Sequence, residues 1–217
     1  MPLERGEAGR QDTMERRIGA PDAKNRTVLL DAAERLMLEE GYAAVTSRRV
    51  AEKAGLKPQL VHYYFRTMGD LYLAVFQRRA EQGLKAQAEA LKQPQPLWAL
   101  WRYSSDPRIT AFTVEFMALA RHRDELRAEF ARYGEMFRER ERQAIAEVLA
   151  RYGIDTSEVP PVVWAVFATS LSRVLVMETA LGMSTGHAET LQFVEAWLRQ
   201  LEGEPLATGD AVTSARA

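Results

Sequence analysis

The chain has 217 residues, 47% hydrophobic and 27% charged, with a net charge of −1 and no cysteine. This length suits one large or two small domains with a sizeable core. The missing cysteines exclude disulfides, thiolate metal sites and cysteine nucleophiles, and a near-neutral chain can hold nucleic acid only through a local patch.

The charge is unevenly placed. Residues 1–21 balance, residues 22–80 carry net +3, and residues 81–217 carry net −4. Residues 1–21 lack apolar periodicity and are expected to form a flexible tail. From about Pro21 the helical period appears, with Val28, Leu29, Ala32, Ala33, Leu36 and Met37 as a buried stripe. Gly41 ends that helix. Thr46 or Ser47 caps the next, which buries Val50, Ala51 and Ala54 and stops at Gly55. Leu56 plugs the turn, and Pro58 opens a short third helix, where no amide donor is lost. The spacing of Val61, Tyr64 and Phe65 turns them inward and leaves Gln59, Leu60, His62 and Tyr63 outward. Thr46–Phe65 therefore reads as a helix-turn-helix. Thr46–Arg66 holds five basic residues (Arg48, Arg49, Lys53, Lys57, Arg66) against one acid, Glu52.

A fourth helix begins near Gly69-Asp70 and runs to about Lys92, where Gln93-Pro94-Gln95-Pro96 breaks it. An aromatic-rich piece follows, with Trp98, Trp101 and Tyr103. Asp106-Pro107 is a strong helix start, and that helix reaches about Arg121. Another spans Asp124 to about Tyr152, its outer face dense in Glu and Arg as a solvated face usually is, and Gly153 stops it. Pro160-Pro161 opens an apolar helix to about Leu181, and His187 or Ala188 opens the last, through Leu201. The expected fold is all-α with about nine helices. The expected divisions are a flexible tail at 1–21, a helix-turn-helix domain at 22–70, a helical ligand-binding and dimerisation domain at 71–203, and a flexible tail at 204–217.

The longest apolar stretch, Val162–Leu171, contains Thr169 and Ser170 and precedes Arg173. It falls short of the ~20 residues a bilayer needs, so no membrane span is expected. With no apolar leader at the N-terminus, a cytoplasmic location is expected. His62, His122 and His187 lie far apart on different helices and make no metal site. No cofactor is expected.

The stretch Val28–Phe76 resembles the DNA-binding domain of the TetR family of one-component bacterial transcription regulators. The marks are Ala32-Ala33, Gly41-Tyr42, Thr46, Val50-Ala51, Ala54-Gly55-Leu56, Tyr63-Tyr64-Phe65 and Leu71. The resemblance implies a homodimer, a three-helix DNA-binding domain and a larger helical domain holding a ligand pocket. It also implies that the last two long helices pair with their mates, and that ligand changes the separation of the recognition helices. The chain departs from the family pattern at Lys57, Gln59, His62 and Met68, which implies an operator preference unlike the commonest members.

The partner expected is a double-stranded DNA operator. Gln59 suits adenine, Leu60 a thymine methyl, and Arg48, in the family position that reaches a base, guanine. Ser47 with the second-helix amides suits a phosphate. Tyr63 and Tyr64 offer hydroxyls to the backbone, and Lys57, beside Pro58, and Arg49 add charge; His62 completes the outer face. In the regulatory half, Trp98, Trp101, Phe112, Phe116, Met117, Met136, Phe137, Trp164 and Phe167 are the candidate pocket lining. Tyr103, Thr113, Tyr133, Thr169 and Arg173 are its candidate polar groups, and an apolar or amphipathic effector is expected. Val162–Leu181 and Leu191–Leu201 are more apolar than a monomer's surface needs, with Ala165, Ala168 and Ser172 allowing close approach across a two-fold axis.

The leading expectation is a ligand-responsive dimeric repressor, and an activator or a ligand-independent DNA binder is the alternative. An all-helical enzyme is remote, because Glu115, Glu178 and Asp106 are scattered and no triad, phosphate loop or paired carboxylates stand out.

Overall fold

The computed structural model describes residues 24–206. The expected tails at 1–21 and beyond 206, and a helix start at Pro21, lie outside the described residues. Within them are nine α-helices, one 3-10 turn and no strand: α1 Lys24–Glu40, the 3-10 turn Tyr42–Ala44, α2 Ser47–Ala54, α3 Pro58–Tyr64, α4 Met68–Leu91, α5 Pro96–Ser104, α6 Pro107–Ala120, α7 Asp124–Arg151, α8 Pro161–Ala180 and α9 His187–Glu202. They form two compact units. One takes the described chain to Arg79 together with Glu115–Arg127, and the other takes Ala80–Val114 together with the described chain from Ala128.

In the first unit, α1 buries Leu29, Leu30, Ala32, Ala33, Leu36 and Met37. Leu30 takes a core place where the sequence pattern favoured Val28, which is half-buried. Thr46 caps α2 by accepting a hydrogen bond from the Arg49 amide at 3.4 Å. Gly55 adopts the left-handed conformation (φ 66°), at little steric cost for a residue without Cβ. Its amide donates to Glu52 O and the Leu56 amide to Ala51 O, a Schellman closure that sets the angle between α2 and α3. Thr67 and Asp70 cap α4 reciprocally: the Asp70 amide donates to Thr67 Oγ1 and the Thr67 amide to Asp70 Oδ2. Tyr72 on α4 donates its hydroxyl to Val45 O at 2.9 Å. Phe76 packs on Phe116 at 5.2 Å between ring centroids. Glu115 Oε2 accepts the Tyr42 amide at 2.7 Å, satisfying a donor in the turn before α2.

In the second unit the core is built from α5, α7, α8 and α9: Leu97, Trp98, Leu100 and Trp101 against Ile145, Val148, Leu149, Ala165 and Leu198. Trp164 and Trp197 stack beside it, centroids 4.8 Å apart and planes within 9°. At Gly83 a Cβ would sit 3.0 Å from Phe137 Cζ and from the Tyr103 hydroxyl, so any larger residue would push both side chains back. The first amides of α5 are capped by a residue more than a hundred positions away. Glu202 Oε1 accepts Leu97 N–H and Oε2 accepts Trp98 N–H, both at 3.0 Å. Residues 204–206, expected as the start of a loose tail, are tied down. Gln95 Nε2 donates to Glu204 O, and the Leu206 amide donates to Gln95 Oε1.

Two expectations about α8 need correction. By length and composition it is apolar enough to cross a membrane, with only 11% of its most apolar window buried; the sequence estimate stopped at Leu171, but the apolar run resumes after Arg173. Ala165 and Ser172, expected to admit a second chain, are each only 1% exposed, packed inside this chain.

Candidate functional site

The helix-turn-helix presents one polar face. On α3, Val61 and, just past its end, Phe65 are buried, whereas Lys57, Pro58, Gln59, His62 and Tyr63 are exposed and Leu60 and Tyr64 half-buried. The division follows from helix geometry: positions i and i+4 share the core side and those between them are displaced from it. Tyr63 and Tyr64 meet edge to face at 5.0 Å, which restrains both rings. On α2, Arg48 is exposed and Ser47 half-buried at the first turn.

The positive charge is smaller than the composition implied. Arg49 Nη2 donates to both carboxylate oxygens of Glu40 at 2.6 Å, and Lys53 pairs with Glu39. The Glu40 bond raises the Arg49 pKa and the Arg49 bond lowers that of Glu40, so both remain ionised and largely neutralise one another. Among the described residues Arg48, Lys57 and Arg66 have no acidic partner. The sequence held a signal for this: Glu39 and Glu40 stand at the C-terminus of α1, where acids oppose the helix dipole unless cations compensate them.

The second unit contains a cavity of about 130 Å³. Helix α5 contributes Leu97, Leu100, Trp101 and Ser104, and α7 contributes Glu141 and Ile145. Helix α8 adds Trp164, Ala165, Phe167, Ala168, Thr169 and Leu171, and α9 adds Phe193, Val194, Trp197 and Leu198. Of the expected apolar lining, Trp101, Trp164 and Phe167 are at this wall; of the expected polar groups, Thr169 is.

The others lie elsewhere. Trp98 is in the adjoining core, its Nε1–H donating to Gly203 O at 3.1 Å. Phe112 is buried away from the cavity. Tyr133 is buried under Arg132, whose guanidinium lies 4.2 Å from the ring centroid. Met136 is exposed, in contact with Arg132, and Phe137 packs at Gly83. Phe116 and Met117 belong to the other unit, Phe116 in its core and Met117 43% exposed. Tyr103 donates to Gly83 O and Thr113 to Ile109 O, so both hydroxyls serve backbone. The sequence reading missed the α9 wall because it gave the stretch Leu191–Leu201 to a contact with a second chain.

Behind the cavity's polar end is a buried network. Gln87, 0% exposed, donates Nε2–H to Glu141 Oε1 at 3.1 Å. Thr169 Oγ1 lies 3.3 Å from Glu141 Oε2. Burial raises the Glu141 pKa, partly offset by Arg138 and Arg173; burial and the nearby Arg138 charge lower that of Arg173.

Comparison with known proteins places these features. Residues 29–75 match the family described as bacterial regulatory proteins, tetR family. The HTH-type transcriptional activator FasR of Mycolicibacterium smegmatis is 31% identical over 72 residues, 33% of this chain; the match spans about a third (33%) of that curated relative's length. A TetR transcription regulator from Haloarcula marismortui superposes with a TM-score of 0.63 at 18% identity, covering 80% of this chain and 95% of that one. The transcriptional regulator FadR of Bacillus subtilis, solved with stearoyl-CoA, gives a TM-score of 0.60 at 15% identity over 82% of this chain and 99% of that one. At such identities the structural likeness is one of fold, and the family match is confined to residues 29–75. Residues 29–75 thus match the DNA-binding segment of the TetR family of transcriptional regulators, and the described chain has the fold of solved regulators of that family.

Proposed function

We propose that this protein is a repressor that binds a palindromic operator as a homodimer in the cytoplasm and is released by a small apolar or amphipathic effector. The observation that carries the reading is the two-sidedness of α3, which buries Val61 and Phe65 and exposes Gln59, His62 and Tyr63. In this reading α3 enters the major groove, with Gln59 pairing to adenine, Leu60 on a thymine methyl and Arg48 on guanine. Ser47 with the α2 amides, the Tyr63 and Tyr64 hydroxyls, and Lys57 hold phosphates and set the register. Arg49 serves chiefly to brace α2 against α1.

Dimerisation is supported by the uncovered apolar residues of α8 and α9. Val163, Val166, Phe167, Val174, Met177, Leu191 and Phe193 are all 38–69% exposed, and two copies related by a two-fold axis cover such faces mutually. The cavity beside Trp101 and Trp164 is the effector site. A second reading, activation, is favoured by the likeness to FasR, named an activator. The test is fluorescence anisotropy of purified protein on its own upstream DNA across a salt series, with a reporter in a deletion strain for the sign. Absence of sequence-preferring, salt-dependent binding defeats the reading. Reporter expression rising on deletion supports repression, and falling supports activation.

A further inference from the structure

The cavity is small. At about 130 Å³ it approaches the ~150 Å³ of an engineered apolar cavity that takes one benzene, so it has room for a single ring. Its walls hold Trp101, Trp164, Trp197 and Phe167, and the charged side chain at the wall is Glu141.

At Glu141 the polar end has spare acceptor capacity. Thr169 has one hydroxyl proton, and Ala165 O accepts it at 2.6 Å, closer than Glu141 Oε2 at 3.3 Å. Gln87 fills Glu141 Oε1, so Oε2 is free to accept a donor. The electrostatics then select among donors. Two guanidiniums, Arg138 and Arg173, act on Glu141 and oppose an ammonium. Neither reaches the wall, so a ligand carboxylate meets Glu141 itself, charge against like charge with little water to screen it. Phe167 and Phe193, 53% and 69% exposed, lie where the cavity meets the face proposed to be covered by a second copy.

We propose that the cavity takes a neutral, single-ring molecule bearing one hydroxyl or N–H donor, its ring among the tryptophans and its donor on Glu141. The inference rests on the effector-responsive reading and names the chemistry of that effector.

Ligand-observed fluorine NMR on the full chain tests it with three probes of one size: 4-fluorophenol, 4-fluorotoluene and 4-fluorobenzoate. The phenol binds tightest, the toluene at least tenfold more weakly (about 1.4 kcal/mol), and the benzoate is not detected. Glu141→Leu brings the phenol down to the toluene's affinity and leaves the toluene unchanged. Ala168→Leu, which fills the wall from α8 without touching the network, abolishes binding of both. Benzoate binding as well as phenol, or phenol binding undiminished in Ala168→Leu, overturns the proposal, as does failure of every ring to bind. Operator anisotropy separates the two readings. Phenol binding that leaves operator affinity unchanged upholds the site and defeats the regulatory reading. Operator release by stearoyl-CoA with no ring binding does the reverse.

Discussion

The cap that Glu202 places on α5 is open to a quantitative test. The N-cap residue of α5, Gln95, makes no side-chain capping bond. The Leu97 and Trp98 amides instead donate to the two oxygens of Glu202, and the Tyr152 hydroxyl adds a third bond at 3.2 Å. Helix N-terminal amides have no intrahelical partner, and a carboxylate there also meets the positive end of the dipole. Hydrogen bonds to a charged group contribute about 1.5–3 kcal/mol each, but bonds that share one carboxylate are not additive. Glu202→Ala is therefore expected to cost about 2–4 kcal/mol, and Glu202→Gln, which keeps one acceptor, about 1–2 kcal/mol. At about 2–4 °C per kcal/mol for a chain of this size, the alanine variant should melt roughly 4–16 °C lower. The assay is thermal unfolding followed by circular dichroism, with urea unfolding as a check. The control is Glu204→Ala, which removes an exposed pair with Arg199 and should cost under about 1 kcal/mol. If Glu202→Ala melts within about 2 °C of the parent, the cap contributes too little to organise α5 and the argument fails.

Three further outcomes are expected. Lys57→Ala should lower the slope of log affinity against log salt by about 1, whereas Arg49→Ala, already paired with Glu40, should barely move it; equal slopes for the two would contradict the division of charge. Val174→Asp puts an unpaired charge on the exposed face of α8 and should shift sedimentation from dimer to monomer with helix content kept; an unchanged dimer shows that the face is not the contact. Because Glu141 is raised above the ordinary 4.5 by burial, the folded state binds its proton more tightly than the unfolded chain does, so this group's contribution falls as pH rises through 4.5 toward the raised value. The stability of the parent relative to Glu141→Gln should decline across that window, and a difference that rises with pH would show the sign to be wrong.

Much of the first unit was legible because its signals are local. Gly55, Pro58 and Thr46 each act through the backbone of their immediate neighbours, and the spacing of Val61 and Phe65 alone turns Gln59, His62 and Tyr63 outward. The pairing of Arg49 with Glu40 was less legible, since it joins residues on two helices whose crossing depends on the packed core. The cavity was legible only in part. Of the aromatic residues expected to line a pocket, Trp101, Trp164 and Phe167 border the cavity, whereas Trp98, Phe112 and Phe116, of the same chemistry, fill core instead. Composition does not separate the two groups, because the difference lies in which neighbouring helices leave space.

Periodicity, caps and turn residues by themselves determined an all-helical chain with a helix-turn-helix near its start, since each is written within a few residues and obeys backbone sterics. Which charges remain available, where the cavity lies, and that Glu202 closes α5 from more than a hundred residues away were decided only by tertiary packing. Those properties depend on distances between helices, and such distances follow from how side chains from distant parts of the sequence fill each unit's core.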